Sequence, residues 1–438
     1  MKPSHFLVSV FFLFLAVSTR TLSAQSLQTS TDTLHLTKPQ AEKLFLEKNL
    51  LLLAERLNIQ QSEALVMQAR LWPNPSVTVE EVNLWATPNQ LSLGEELPPY
   101  FSNFGRNRQV AIQLEQVLLT AGKRRKLIAI EEVSRDMSVS YFEELLRNLK
   151  VEVRRSLVEL QYLQLYQTVF DSQISQIRQL LASYERQATI GNINRAEVVR
   201  LKALVLELTN ESVDLQKQIH DIQRELIVML NLPATAYIVL DTADFVPDLA
   251  RLEGISASSL LDRALSSRPD LVLARQEVTF QNRQLSYQQA LRKPDLTLGV
   301  NYDRGGNFLK NFVGFGVSVD LPVFNRNQGN IKFAQLGLER AGVLRNDKVK
   351  QVEAEVVNSF KNLQTNLSFY NSIDPAYEGE LDQLLRSYTT NFRNRNVSML
   401  EYLDFFEAYL DNKRTIITTR KELSQTYEEL QYIIGSEL

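Results

Sequence analysis

Four short stretches alternate apolar and polar positions with the period of a strand. Val77 and Val79 alternate with Ser76, Thr78 and Glu80, and Val110, Ile112 and Leu114 alternate with Ala111, Gln113 and Glu115. Leu296, Leu298, Val300 and Tyr302 alternate with Thr297, Gly299 and Asn301, and Val313, Phe315, Val317, Val319 and Leu321 with Gly314, Gly316, Ser318 and Asp320. The pattern predicts strands of about 9 to 11 residues with one apolar and one polar or small face, the length of a tilted membrane-crossing strand. Elsewhere the spacing is helical. Leu201, Leu204, Leu208, Leu215, Ile219, Ile222, Leu226 and Met229 step by three, four or seven, and Ile416, Leu423, Leu430 and Ile434 do much the same. Such stripes suit coiled-coil packing. Residues 123–232 hold no proline and a single glycine, Gly191. Two uninterrupted runs of about 68 and about 40 residues therefore predict long antiparallel helices, the longer of order 100 Å at about 1.5 Å per residue.

The chain also repeats itself. At a constant offset of 204, Ser183-Tyr184 falls on Ser387-Tyr388, Glu197 on Glu401, Leu226 on Leu430 and Met229-Leu230 on Ile433-Ile434. Upstream, the Leu53–Arg56 stretch resembles Leu273-Ala274-Arg275, the run from Pro75 resembles that from Pro294, and Gly122 matches Gly329. Two tandem copies follow, residues 25–232 and 257–438 joined by a linker at 233–256, each reading helix, strand, strand, very long helix, helix. The fold class expected is mainly α with membrane β. The strands read as isolated hairpins with nothing local to cover their apolar faces, which favours lipid over a soluble half-buried sheet. Four strands cannot close a barrel and an open edge cannot sit in lipid, so the chain must oligomerise. Two copies give eight strands and three give twelve, and the strand pattern does not choose.

The first residues change the picture by giving the chain a destination. Lys2, an apolar run over 6–17 and small residues at Ser23-Ala24 read as a secretory leader, cleaved after Ala24. Losing Lys2 and Arg20 with it moves the formal charge from −3 to −5, so no nucleic-acid footprint is expected. The absence of cysteine excludes a disulfide scaffold, a thiolate metal site and a lipid anchor on an N-terminal cysteine. No Walker loop, Gly-x-Ser-x-Gly or metal-ligand spacing is present, and His220-Asp221 lies on a heptad helix, so no catalytic, cofactor or metal site is expected.

Candidate chemistry concentrates at the hairpin turns. Asn194 precedes Glu197 by three and Ser398 precedes Glu401 by three, each spacing that of a capping box. Gly191 suits the left-handed turn that ends a helix, and Arg395 stands at the same place in the second copy without being glycine, so a polar contact is expected to offset strain there. The candidate site residues, all at the two hairpin tips, are Gly191, Asn192, Asn194, Arg395, Asn396 and Ser398. Lys123, Arg124, Arg125 and Lys126 begin a helix just after a strand, where cations oppose the dipole. They are expected at the membrane boundary, meeting lipid phosphates. Residues 83–107 and 303–311 read as loops, and Asp374-Pro375 as a break in the long second-copy helix.

Two other readings fit parts of this pattern: a periplasmic coiled-coil adaptor or rod, which leaves the strands unexplained, and a secreted enzyme on a helical scaffold, which lacks a polar constellation. The motifs Leu71-Trp72-Pro73-Asn74-Pro75, Thr120-Ala121-Gly122-Lys123-Arg124, Arg268-Pro269-Asp270-Leu271 and the run Leu321-Pro322-Val323-Phe324-Asn325-Arg326-Asn327-Gln328-Gly329 occur in order within the duplicated layout. In this the chain resembles the TolC-type outer-membrane efflux proteins, over about residues 36–434. The resemblance implies a homotrimer with a twelve-strand barrel in outer-membrane lipid, continued by a periplasmic α-helical barrel. It implies two partners, a periplasmic adaptor and an inner-membrane transporter of RND type. The Asn-Pro and Gly-Lys-Arg elements look most like the heavy-metal (cobalt-zinc-cadmium) branch. Where relatives often read Val-Gly-Leu or Val-Gly-Thr at the tips, this chain reads Ile190-Gly191-Asn192 and Arg395-Asn396-Val397.

Overall fold

The computed structural model describes residues 32–80, 111–241, 255–304 and 311–436. The expected leader, the 83–107 connection, Val110, Gly305-Gly306 and residues 242–254 of the expected linker lie outside them.

The first copy runs β1 (Asp32–Leu36), α1 (Lys38–Lys48), α2 (Leu50–Ala69), β2 (Ser76–Glu80), β3 (Ala111–Leu118), α3 (Lys123–Thr189) and α4 (Arg195–Met229). After β4 (Ala236–Leu240), the second runs α5 (Ala257–Ser267), α6 (Pro269–Leu291), β5 (Leu296–Asp303), β6 (Phe312–Val319), α7 (Gln328–Ser372), α8 (Tyr377–Arg393) and α9 (Met399–Ile434). α3 is one continuous helix of 67 residues. Its counterpart is split at Asp374-Pro375, where the proline cannot donate and the Asp374 carboxylate accepts from Ala376 N at 2.8 Å.

The copies match in detail. Each begins with an 11-residue helix separated from the next by a single extended residue, Asn49 in one and Arg268 in the other. The Asn49 side chain donates to Met229 O at 2.9 Å and the Arg268 guanidinium to Ile433 O at 3.1 Å, carbonyls that are 204 apart in sequence. Each break thus ties the start of a copy to the end of its last helix. One pairing of the sequence reading needs correction. Gly122 opens α3 with φ +68, and its conformational equal is Asn327, which opens α7 with φ +59, rather than Gly329.

The four amphipathic strands are not isolated hairpins. They form one antiparallel sheet in the order β2-β3-β5-β6, because β3 also pairs with β5 across the two copies. Within the described residues β3, β5 and β6 are 8 residues long, shorter than expected. Residues opposite one another share a face. The register therefore builds apolar rows: Val79, Ile112, Tyr302 and Val313; Val77, Leu114, Val300 and Phe315; Leu298 with Val317; Leu118, Leu296 and Val319. Gln116 is the single polar member of that face among these rows. The opposite face carries Thr78, Gln113, Asn301 and Gly314, then Ser76, Glu115, Gly299 and Gly316, then Val117, Thr297 and Ser318. Among the described residues no element covers the apolar face: Phe315 is 85% and Val317 68% exposed.

The helices continue that arrangement. Next to the sheet, α2, α3, α6 and α7 pack side by side in the strands' own order, and farther along α3 packs on α4 and α9, and α9 on α8. Apolar cores run between these layers, one of them around the small parallel sheet β1-β4. That sheet lies partly inside the segment read as a linker.

The basic run at the start of α3 departs from its expected role in one position. Lys123 is buried, its ammonium 2.7 Å from Lys293 O and 2.8 Å from the Asp295 carboxylate. It holds the end of β3 to the start of β5 and does not face lipid.

Candidate functional site: the hairpin tips

Two helical hairpins turn at one end of the long helices, and their tips superpose in hydrogen bonding residue for residue. At the first, Asn192 N donates to Gln187 O at 2.9 Å and Gly191 N to Ala188 O at 3.2 Å. At the second, Asn396 N donates to Asn391 O at 2.9 Å and Arg395 N to Phe392 O at 3.1 Å. This is the double bond pattern that closes a helix through a left-handed residue. Gly191 has φ +80 and Arg395 φ +62. Ile193 and Val397 turn inward onto the same apolar core. The six candidate residues, Gly191, Asn192, Asn194, Arg395, Asn396 and Ser398, are brought together and are all exposed.

A left-handed non-glycine backbone costs about 1–2 kcal/mol. At Arg395 the side chain compensates: its Nη2 donates to Asn192 O at 3.0 Å, linking the two apices. The contact joins the two hairpins of one chain. The capping boxes are unequal. Ser398 and Glu401 form the reciprocal pair, with Ser398 N donating to the Glu401 carboxylate at 2.8 Å and Glu401 N to the Ser398 hydroxyl at 3.3 Å. Those hydrogen bonds hold the Glu401 carboxyl below its ordinary range. Asn194 caps α4 through Ala196 N at 3.0 Å, but the described contacts include no return bond from Glu197.

Behind the tips lies a feature the sequence reading missed. Tyr184, Phe392 and Tyr402 stack in a column, with ring centroids 5.1 and 4.6 Å apart, and Tyr388 stacks on Phe405 at 4.3 Å. The column crosses from one hairpin to the other. Burial, with Glu197 nearby, pushes the Tyr184 phenol up to about 12. The signal available in sequence is the aromatic spacing within the second hairpin, Tyr388 and Phe392 four apart on α8 and Tyr402 and Phe406 four apart on α9.

Gly191→Ala is expected to cost about 1 kcal/mol, from backbone strain alone, since a Cβ there meets nothing within 4 Å. Thermal unfolding of the assembled protein measures it; a loss several times larger would mean that the apex is packed in the assembly.

Residues 41–232 match the model of the outer membrane efflux protein family. Among curated proteins, the chain is 23% identical over 309 residues to the cobalt-zinc-cadmium resistance protein CzcC of Cupriavidus metallidurans. That match covers 68% of this chain and spans 65% of the relative's length. Among solved structures, the channel CmeC of Campylobacter jejuni superposes with a TM-score of 0.73 at 14% identity, covering 91% of this chain and 85% of that one. CusC, in structures concerned with folding and transmembrane channel formation, superposes with a TM-score of 0.68 at 18% identity, covering 91% and 92%. At such identities these likenesses establish the fold.

Proposed function

We propose that the chain is a TolC-type outer-membrane efflux protein and the exit duct of a tripartite efflux pump, passively passing cargo through a homotrimer. The apolar sheet face with two open edges carries this reading. β2 and β6 are the edges and run antiparallel to each other across the four-strand sheet. Laying β6 of one copy against β2 of the next therefore continues the alternation and closes the ring head to tail. Eight strands would leave an interior filled by side chains. Twelve leave an aqueous lumen lined by the Thr, Gln, Asn and Gly face, and three is the number the family resemblance implies. A soluble rod or adaptor gives the bare apolar face no partner. Engineered cysteines on β2 and β6 should cross-link the membrane-extracted protein to a trimer; a ladder ending at the dimer overturns the ring.

The tips then lie at the periplasmic end of the duct. There they constrict the pore and dock a periplasmic adaptor, which joins the duct to an inner-membrane RND-type transporter. Likeness to CzcC supports heavy-metal cations as cargo. The duct itself needs no metal ligands, because an exit channel should not retain what it passes. Arg395→Ala is expected to leave folding and insertion intact, since the side chain is exposed and its hydrogen bond among the described residues is at the apex. It should weaken export of cobalt, zinc or cadmium, or admit a large antibiotic that the wild type excludes. Unchanged metal tolerance and unchanged antibiotic entry, at matched trimer levels, would reduce Arg395 to a turn residue.

A further inference from the structure

We propose that Trp72 and Arg124, at the foot of the apolar sheet face, form a site for the phosphate of a phospholipid in the periplasmic leaflet of the outer membrane. The proposal rests on the membrane reading of that face.

The foot of the sheet is where β2 and β5 begin and β3 and β6 end, so every chain connection to the helices passes there. Residues 71–75 are placed on the apolar side by Gln116. This one polar residue in the apolar rows donates from Nε2 to Pro73 O at 2.9 Å. Trp72 and Leu71 stand there 59% and 60% exposed. An exposed tryptophan beside a lipid-facing surface belongs at the headgroup level, where its ring is apolar and its N–H finds a polar partner.

The Arg124 guanidinium lies over the Trp72 ring, 4.1 Å from its centroid, and its Nη1 donates to Arg70 O at 2.7 Å. Stacking and that single bond fix the plane of the group while leaving other N–H donors of the fork for an anion. No carboxylate among the described residues forms an ion pair with Arg124: nearby Asp295 pairs with Lys123, and Glu132 with Arg70. Trp72 and Arg124 line a cleft of about 240 Å³ with Leu71, Leu119, Leu127 and Leu291, and the Lys123–Asp295 ion pair also lies in its wall. A mainly apolar cleft with a guanidinium in its wall, and its one carboxylate already paired with Lys123, matches an acyl chain ending in a phosphate diester. Arg125, Arg292 and Lys293 are exposed near the same end of the sheet and add to the local positive field. Of the four basic residues that open α3, Arg124 is thus the one the structure equips for lipid, while Lys123 is consumed by the fold.

The experiment uses the full chain, reconstituted from detergent with dioleoyl-phosphatidylglycerol and examined by native mass spectrometry for retained lipid. Dioleoylglycerol, which lacks the phosphate, and inorganic phosphate, which lacks the chains, serve as the other probes. The wild type should retain phosphatidylglycerol in preference to both. Arg124→Gln should weaken retention about fivefold, the effect expected of one basic side chain at an anionic surface, and Arg124→Lys should recover part of it. Should Arg124→Gln fail to assemble, Trp72→Leu, which keeps the apolar contact and loses the stacking, should show the same weakening. Equal retention by wild type and by whichever of these variants assembles overturns the proposal, as does displacement of the lipid by inorganic phosphate. A wild-type protein that does not enter the bilayer at all overturns the membrane reading, and the site with it.

Discussion

Phe315→Arg is expected to remove the protein from the outer membrane, whereas Ser318→Arg should leave it assembled. The two positions lie three apart on β6 and face opposite ways. Phe315 sits opposite Val300 in an apolar row, and Ser318 sits opposite Thr297 on the other face. An arginine directed into lipid near the bilayer midplane costs about 2–4 kcal/mol, and the same residue in a wet lumen costs little. The penalty recurs in every copy of a cyclic assembly, so it is large against the stability of the ring. Ser318 is exposed and flanked on its own face by Gly316, which leaves room for the longer side chain. Val317→Asp against Ser318→Asp should show the same order with a smaller gap, because acids on the lipid face cost less than arginine. Trimer yield in washed outer-membrane fractions is the measurement. Equal yields for the Phe315 and Ser318 variants would mean that the apolar face is covered by protein and that the lumen has been placed on the wrong side.

That contrast was legible from sequence because a strand's two faces are written in alternate residues. Val313, Phe315 and Val317 against Gly314, Gly316 and Ser318 fix the phase without knowledge of any partner. The long helices were legible for a similar reason: a helix is stopped by local residues, and residues 123–190 hold no stop signal. What stayed hidden depends on neighbours distant in the chain. β4 reads Ala-Tyr-Ile-Val-Leu, too short and too uniformly apolar to show a period, and its partner β1 lies some 200 residues upstream. The pairing of β3 with β5, which turns two hairpins into one sheet, likewise joins different copies. Lys123 read as one of four cations meeting lipid phosphates at the membrane boundary, since its partners Lys293 and Asp295 come from the second copy. At the tips the turn geometry was readable, because the left-handed residue and its cap are local. The aromatic column behind them was not, because Tyr184 meets Phe392 only when the two hairpins pack. The Arg-Pro-Asp-Leu element was recognisable as a motif while its purpose was not.

That purpose gives the second large effect: Asp270→Ala is expected to destabilise the protein by about 3–5 kcal/mol, the usual cost of leaving a buried charge without its partner. Arg268 and Asp270 are 2% and 4% exposed. They meet through two parallel bonds, Nε to Oδ1 at 3.0 Å and Nη2 to Oδ2 at 2.7 Å. Pro269 between them starts α6 with its φ already helical, and Asp270 follows in the first turn, where the helix dipole favours a carboxylate. The remaining Arg268 donor group bonds Ile433 O and the Glu355 carboxylate, binding α6, α7 and the end of α9 into one joint. Arg147, stacked on Tyr432, and Lys348 also lie 3.7 and 3.5 Å from Asp270. Removing the aspartate leaves three cations around one joint, and Arg147 already has Nε and Nη1 buried without hydrogen-bond partners. Burial alone would raise the Asp270 carboxyl, but the Arg268 bonds and charge, with Arg147 and Lys348, overcome it and bring it down to about 2 from 3.8. A carboxyl depressed on folding contributes stability that is complete above its unfolded value and disappears as pH falls through the folded one. The stability gap between wild type and Asp270→Asn should therefore be constant from neutrality to about pH 4 and close between about pH 4 and pH 2. Urea melts of the detergent-solubilised protein at pH 7, 4 and 2.5 measure it. A gap that stays the same at all three would show that Asp270 acts through shape and neutral hydrogen bonding, and that its charge is not what holds the joint.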